Sequence, residues 1–219
     1  VGRLAASVAH EIRNPLTSIR MRLYSLHSAV SPNSELAEDL QFISDEITHL
    51  EAIVTEFLEF ARPREPQIEP LSLSVALREA VQLVQEQIGK SRVGVAFEVP
   101  DSLPRVQADP DQIKQVFINL IKNSLQAMET GGDIRISAAV DNRNDASVRI
   151  RFADNGPGIA EEHRPHLFEP FYSTKDDGTG LGLSISARIL QANDGSIALE
   201  KTGPAGTVAL RRGVGRGGR

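Results

Sequence analysis

A histidine, a carboxylate and an amide stand within five residues of each other in the stretch SVAHEIRNPLTSI: His10, Glu11 and Asn14, followed by Pro15. At about 100° per residue, His10 falls about 175° from the apolar stripe that centres near Leu23 and Ile12. Asn14 lies about 40° from His10 and one turn along, and Glu11 about 100° to the side, within reach of the imidazole. His10 is therefore not a core residue. Most exposed polar residues are simply solvated, but the neighbours of this one add chemistry. A carboxylate beside a histidine can hold the Nδ1 proton and leave Nε2 as an acceptor or nucleophile. Pro15, inside the helical pattern, removes a backbone bond at a cost of about 3 kcal/mol. A bend beside a reactive side chain is easier to explain by function than by stability.

Three glycine-bearing stretches in the second half could hold an anion: DNGPGI (Asp154–Ile159), FEPFYSTK (Phe168–Lys175) and GTGLGLSIS (Gly178–Ser186). Gly180 and Gly182, just before a helical pattern, let backbone N–H groups approach a phosphate at a helix N-terminus. Each stretch alone is equally a turn. Asp154, if buried, could accept from an exocyclic amine. In QVFINLIKNSLQAM, Asn119 and Asn123 fall on one helix face, four residues apart. They are either two surface amides or a polar wall whose amide oxygen ligates Mg²⁺ within a shell of oxygens and water. The segment 160–180 is long and mixed, like many lids. Lys175 near its end would bring a cation to a phosphate.

These residues need elements to place them. Leu4, Val8, Ile12, Leu16, Ile19, Leu23, Leu26 and Val30 recur at threes and fours, which predicts an amphipathic helix. SPNS (31–34) breaks it, and Ser34 can cap a second helix carrying Leu36, Leu40, Ile43, Ile47, Leu50, Val54, Phe57 and Leu58. Pro63 and Pro66 end that helix near Arg62. The product is a helical hairpin, residues 1–62, whose apolar faces invite dimerisation into a four-helix bundle or packing on the rest of the chain. PREPQIEP (63–70) reads as a stiff linker. Beyond it, helices are expected at 74–90, 111–128 and after Gly182. Strands are expected at 93–99, 133–140 and 147–153, and near Ile197 and Val208. Strands and helices do not alternate, so an α+β two-layer sandwich is favoured over residues 71–211. The Gly/Arg-rich end, 212–219, reads as a disordered tail.

Composition narrows the classes. The chain has 219 residues, no cysteine, five scattered histidines and a net charge of −5. Disulfides and thiol chemistry are excluded, a structural zinc site is disfavoured, and no nucleic-acid partner is expected. No apolar run reaches the roughly 18 residues of a membrane span. The absence of cysteine fits a reducing compartment, so a cytoplasmic location is expected, and the start at Val1 in helical pattern reads as a fragment. Any membrane contact, including an anchor of the parent protein in the inner membrane, would come through a preceding segment.

Taken together, HEIRNPL, NLIKN, DNGPGI, FEPFYSTK and GTGLGL resemble the H, N, G1, F and G2 boxes of bacterial sensor histidine kinases. They occur in family order and spacing over about residues 4–210. HEIRNPL and the FAR-P after the second helix resemble most the nitrogen-regulation-type subgroup. The resemblance implies a dimerisation and histidine-phosphotransfer hairpin followed by an ATP-binding domain of the gyrase, chaperone, kinase and mismatch-repair superfamily. It implies a homodimer through the hairpin, ATP and Mg²⁺ as cofactors, and the receiver domain of a response regulator as partner. His10 would be the phosphoacceptor through Nε2, with Glu11 accepting its Nδ1 proton and Asn14 positioning a water for dephosphorylation of the regulator. Asn123 would ligate Mg²⁺, supported by Asn119. Asp154 would take the adenine amino group in a loop shaped by Gly156 and Gly158. Lys175, Thr179, Gly180, Leu181 and Gly182 would surround the phosphates.

The chain departs from the family pattern at Ser124 and Met128. Gln126 stands where many relatives carry a phosphate-contacting base, NDG (193–195) replaces a usual His-Gly-Gly, and the final stretch lacks the usual Leu-Pro. Alternatives are a hydrolytic ATPase of the same superfamily, a nucleotide-binding scaffold, and a phosphatase-biased or pseudokinase module. Hydrolytic relatives have a glutamate where this chain has Asn119. Scaffold relatives lack the hairpin, and a pseudokinase would be expected to lose His10, Asn123 or the second glycine box.

Overall fold

The structure is a computed structural model. It describes residues 2–27, 30, 34–128, 130–141, 147–175, 178–201 and 206–213, the backbone alone for 2–7, 201 and 206–213. The chain divides into two compact units, Val1–Arg64 and Glu65–Arg219.

The first unit is a pair of helices, α1 (Gly2–His27) and α2 (Glu35–Ala61). Ser34 caps α2, its hydroxyl oxygen accepting from the Ala37 amide at 3.2 Å, which satisfies one of the orphan donors of the first turn. The long apolar stripes expected from sequence resolve into two seams. Ala9, Leu16 and Leu23 of α1 are buried together with Ala37, Leu40, Ile47 and Val54 of α2. These close the hairpin, and Arg20 donates to Glu51 at 2.8 Å across it. A second set at seven-residue spacing, Ile12, Ile19 and Leu26 on α1 and Leu36, Ile43 and Leu50 on α2, stays 39–54% exposed. Seven-residue spacing keeps a seam in line along packed helices, so the hairpin presents a ready second interface. Residues 31–33 of the expected turn lie outside the described residues.

The second unit is an α+β sandwich. A five-stranded sheet runs in the order β2-β4-β5-β7-β6, built from β2 (Val93–Glu98), β4 (Gly132–Asp141), β5 (Ser147–Asp154), β6 (Gly195–Lys201) and β7 (Gly206–Gly213). The β2–β4 pair is parallel and the others antiparallel. Burial alternates along the central strands: Ile134, Ile136 and Ala138 of β4, and Val148, Ile150 and Phe152 of β5, point inward. Against that face pack α3 (Leu73–Leu83), α5 (Pro110–Ala127) and α6 (Gly182–Ala192). The Phe117 and Phe152 rings meet in this core at 5.9 Å between centroids. The opposite face is wet and ion-paired, with Arg149 on Asp141 at 2.6 Å and Arg151 on Glu200 at 2.7 Å.

Three features differ from the sequence expectation. The helix expected at 74–90 is two, α3 and α4 (Gln85–Lys90), parted at Val84. Two short strands, β1 (Glu69–Leu71) and β3 (Val106–Ala108), pair antiparallel. The end of PREPQIEP is thus structured, and the Gln67 amide already donates to Asp109 Oδ2 at 2.8 Å. Finally, β7 reaches Gly213, inside the expected tail; residues 214–219 lie outside the described residues. Among the described residues, no helix is long and apolar enough to cross a membrane.

Candidate functional site

In the first unit, α1 runs through Pro15 without a break. Pro15 has no N–H for the Glu11 carbonyl. The hydroxyls of Thr17 and Ser18 donate back to the Arg13 and Asn14 carbonyls at 2.9 and 3.2 Å, the i−4 pattern that helical Thr and Ser commonly make. His10, Glu11 and Asn14 are all exposed. The helical i,i+4 spacing brings the Asn14 amide nitrogen to 3.2 Å from His10 Nδ1. An amide N–H donating there puts the ring proton on Nε2; turned over, the amide oxygen would accept an Nδ1 proton and free Nε2. Asn14 thus reaches Nδ1, the atom for which the resemblance implies Glu11.

In the second unit, helix α5 supplies one wall. Asp109 caps it, Oδ1 accepting from the Asp111 and Gln112 amides at 3.0 and 3.1 Å. The Asp109 amide donates to Asn193 Oδ1 at 2.8 Å, and Asn193 Nδ2 donates to Gln112 Oε1 at 2.7 Å. Asn193, fully buried, opens the NDG that departs from the family and locks the end of α6 to the start of α5. Further along α5 the two asparagines part company. Asn119 donates to Ser186 Oγ at 2.8 Å, and Gly182 packs so closely that a Cβ there would lie 2.5 Å from Asn119 Oδ1. Asn119 therefore ties α5 to the glycine turn of α6. Asn123, half-buried, carries no side-chain hydrogen bond among the described residues.

Asp154 ends β5. Its Oδ2 accepts from Ser124 Oγ at 3.0 Å and its Oδ1 from the Gly156 amide at 3.1 Å. Asn155 anchors the loop, its Oδ1 accepting from the Asp133 amide at 2.8 Å. A Cβ on Gly156 would come within 3.0 Å of Asp154 Oδ1, and Gly158 sits at φ +79, a backbone that favours glycine. Past the 3₁₀ turn Glu161–His166, Tyr172 clasps the segment: its hydroxyl lies 2.7 Å from His163 Nδ1 and its ring 5.1 Å from that of His166. His166 Nδ1 in turn lies 2.9 Å from Glu169 Oε2. Nothing periodic in the sequence marks this cluster.

Lys175 Nζ donates to Gln126 Oε1 at 2.7 Å. Although its side chain is exposed overall, desolvation around the ammonium pushes its pKa below the usual lysine value. Thr179 Oγ1 accepts from the Leu181 amide at 3.3 Å. Gly180, at φ +66, lies against the backbone of Phe171 and Tyr172, and its carbonyl accepts from the Phe171 amide at 3.1 Å. Leu181 is buried, and Gly182 opens α6, whose first N–H groups have no partner in the helix ladder.

These residues fit a nucleotide. Asp154 offers acceptors to an amine, Lys175 and the α6 N-terminus offer positive charge to phosphates, and the glycines leave room for close approach. Among the described residues, no group of three or more His, Asp or Glu could hold a metal. The donor set at Asn123 is one neutral amide oxygen, which suits Mg²⁺ completed by phosphate oxygens and water.

Residues 1–66 match the His Kinase A (phospho-acceptor) domain. Residues 108–211 match the histidine kinase-, DNA gyrase B- and HSP90-like ATPase domain. The chain is 37% identical to sporulation kinase E of Bacillus subtilis (strain 168), over 95% of this chain and 28% of that protein. It is also similar to the solved complex of histidine kinase ThkA with the response regulator protein TrrA. There the TM-score is 0.72 and the identity 32%, over 100% of this chain and 63% of that one. Full-length ShkA in complex with AMPPNP superposes with a TM-score of 0.82 at 25% identity, over 97% of this chain and 46% of that one. The fold, the two units and these matches define one class: the chain belongs to the sensor histidine kinase family, as a phospho-acceptor hairpin joined to an ATPase-type domain. It spans about a quarter to under half the length of the curated relatives it matches.

Proposed function

We propose that the chain is the catalytic core of a sensor kinase that phosphorylates its own His10 from ATP and passes the phosphoryl group to an aspartate in a response-regulator receiver domain. The observation that carries this reading is the pairing of an exposed His10, its Nδ1 held by Asn14, with an Asp154–Ser124–Gly156 acceptor site and a Lys175 cation in the other unit. An exposed imidazole on one unit suits a phosphoryl group that must be collected in one place and delivered in another.

Asp154 would accept from the adenine amine, while Lys175 and the amides around Gly180, Leu181 and Gly182 hold the phosphates. Thr179 supports that turn. Asn123, with water, would hold Mg²⁺, which when bound would neutralise phosphate charge. The lone pair of His10 Nε2 forms the N–P bond as the bond from γ-phosphorus to the bridging oxygen breaks, and ADP leaves with that electron pair. Glu11 or Asn14 holds the Nδ1 proton. The carboxylate of the regulator then takes the phosphoryl group and the N–P bond breaks. Asn14 would place the water that later hydrolyses the regulator's acyl phosphate. The exposed heptad stripe of Ile12, Ile19, Leu26, Leu36, Ile43 and Leu50 supports a homodimer through the hairpin. HEIRNPL and FAR-P support a place near the nitrogen-regulation-type subgroup, and the unit boundaries support hairpin, short linker and ATP domain as the organisation. A cytoplasmic site suits ATP as the donor.

Incubation with γ-labelled ATP and Mg²⁺ tests the reading. Label on the wild type that is lost in acid and survives alkali, and that is absent from His10→Gln and Asn123→Ala, is the expected result. A wild type that binds ATP and stays unlabelled contradicts it.

A further inference from the structure

Ser124 follows Asn123 on α5 and is buried. Its hydroxyl lies 3.0 Å from Asp154 Oδ2. A carboxylate only accepts, so Ser124 donates. The other oxygen, Oδ1, takes the Gly156 amide at 3.1 Å. Among the described residues each carboxylate oxygen thus has one donor, and it retains lone-pair capacity for a ligand. Two donors from separate elements, helix α5 and the loop after β5, fix the plane of the carboxylate. With alanine at 124 only the Gly156 bond would remain, and the group could turn about its χ2.

We propose that Ser124 is a positioning residue that sets the base selectivity of the nucleotide site, by holding the Asp154 carboxylate as a fixed, outward-facing acceptor. This rests on the reading that Asp154 takes the exocyclic amine of adenine. A fixed acceptor discriminates strongly: it matches the amine of adenine and faces the carbonyl oxygen of a 6-oxopurine with repulsion and an unmet bond. A carboxylate free to turn can move away from that carbonyl, and the penalty shrinks.

The test measures dissociation constants for ADP and for inosine diphosphate, by calorimetry in Mg²⁺ buffer, on the whole chain. It compares wild type, Ser124→Ala, Ser124→Thr and Asp154→Asn, with the fold of each followed by thermal melting. Ser124→Cys, a poor donor of similar size, gives the same readout if the alanine variant does not fold. The expected result is that Ser124→Ala lowers the preference for ADP over inosine diphosphate about tenfold, the scale of one hydrogen bond to a charged group. Ser124→Thr, which keeps the hydroxyl, stays within about threefold of wild type on the same basis. A preference unchanged in Ser124→Ala but lost in Asp154→Asn overturns the inference and leaves Asp154 in its role. Equal weakening of both nucleotides in Ser124→Ala reduces Ser124 to packing and also overturns it. A preference that survives Asp154→Asn overturns the reading of Asp154 itself.

Discussion

At the residue scale the two ends of the proposed nucleotide site are held differently. Among the described residues, Asp154 is held by two neutral donors and Lys175 Nζ donates to one neutral acceptor, Gln126 Oε1. Desolvation lowers the Lys175 pKa, and bound phosphate would raise it again by opposite charge. The sign follows: ATP affinity is full below the lowered pKa and falls as pH rises through it. The fall begins below the roughly 10.4 of an ordinary lysine. Titration of ATP affinity from neutral to alkaline pH should show this fall in wild type and a flat profile in Lys175→Met. Gln126→Ala removes the partner that holds the ammonium in place, and should weaken ATP about three- to fivefold, the scale of one net hydrogen bond. On the hairpin, Asn14→Ala should cut dephosphorylation of the regulator about a hundredfold, the lower range of a lost positioned group, with histidine labelling changed far less; a two-stage assay separates the steps. Much of this site was legible because its residue types are chemically unusual where they stand, such as Asn in mid-helix or Gly-X-Gly before a helix. The partners Ser124, Gln126 and Tyr172 were not, because an ordinary polar residue gains its role only from what the fold sets opposite it.

At the element scale the glycine turn before α6 depends on helix α5. A methyl at 182 would crowd the Asn119 side chain, which donates to Ser186 Oγ and ties α5 to α6. Gly182→Ala should lower stability by about 1–3 kcal/mol, as overpacking does, and weaken ATP in parallel, measured by chemical denaturation and calorimetry on one sample. On the hairpin, Ile19 and Ile43 belong to the exposed heptad seam, whereas Leu16 and Ile47 close the pair. Ile19→Asp with Ile43→Asp should therefore yield a folded monomer by light scattering with helical circular dichroism kept. The long elements followed from periodicity because an eighteen-residue α5 or a ten-residue β4 repeats its pattern several times. The β1–β3 pair was hidden because three residues on each side carry no period, and Pro63, Pro66 and Pro70 argue for a linker. The split at Val84 was hidden because apolar spacing continues through it.

At the scale of the whole molecule, the proposed nucleophile His10 and the proposed nucleotide site belong to separate compact units. The phosphoryl group would cross from one to the other only when they meet. No glutamate base stands at Asn119, and its amide is committed to Ser186, so water should be a poor acceptor. ADP release should accordingly be a burst of at most about one per protomer followed by a slow phase, as expected of a covalent intermediate without turnover. The most direct measurement locates the phosphoryl group. The chain is incubated with Mg²⁺ and ATP, digested under alkaline conditions, and mapped by mass spectrometry, with phosphorus NMR distinguishing the two ring nitrogens. The account predicts phosphate on His10 at Nε2. Phosphate on His27, His49, His163 or His166, at Nδ1 of His10, or on no histidine would contradict it.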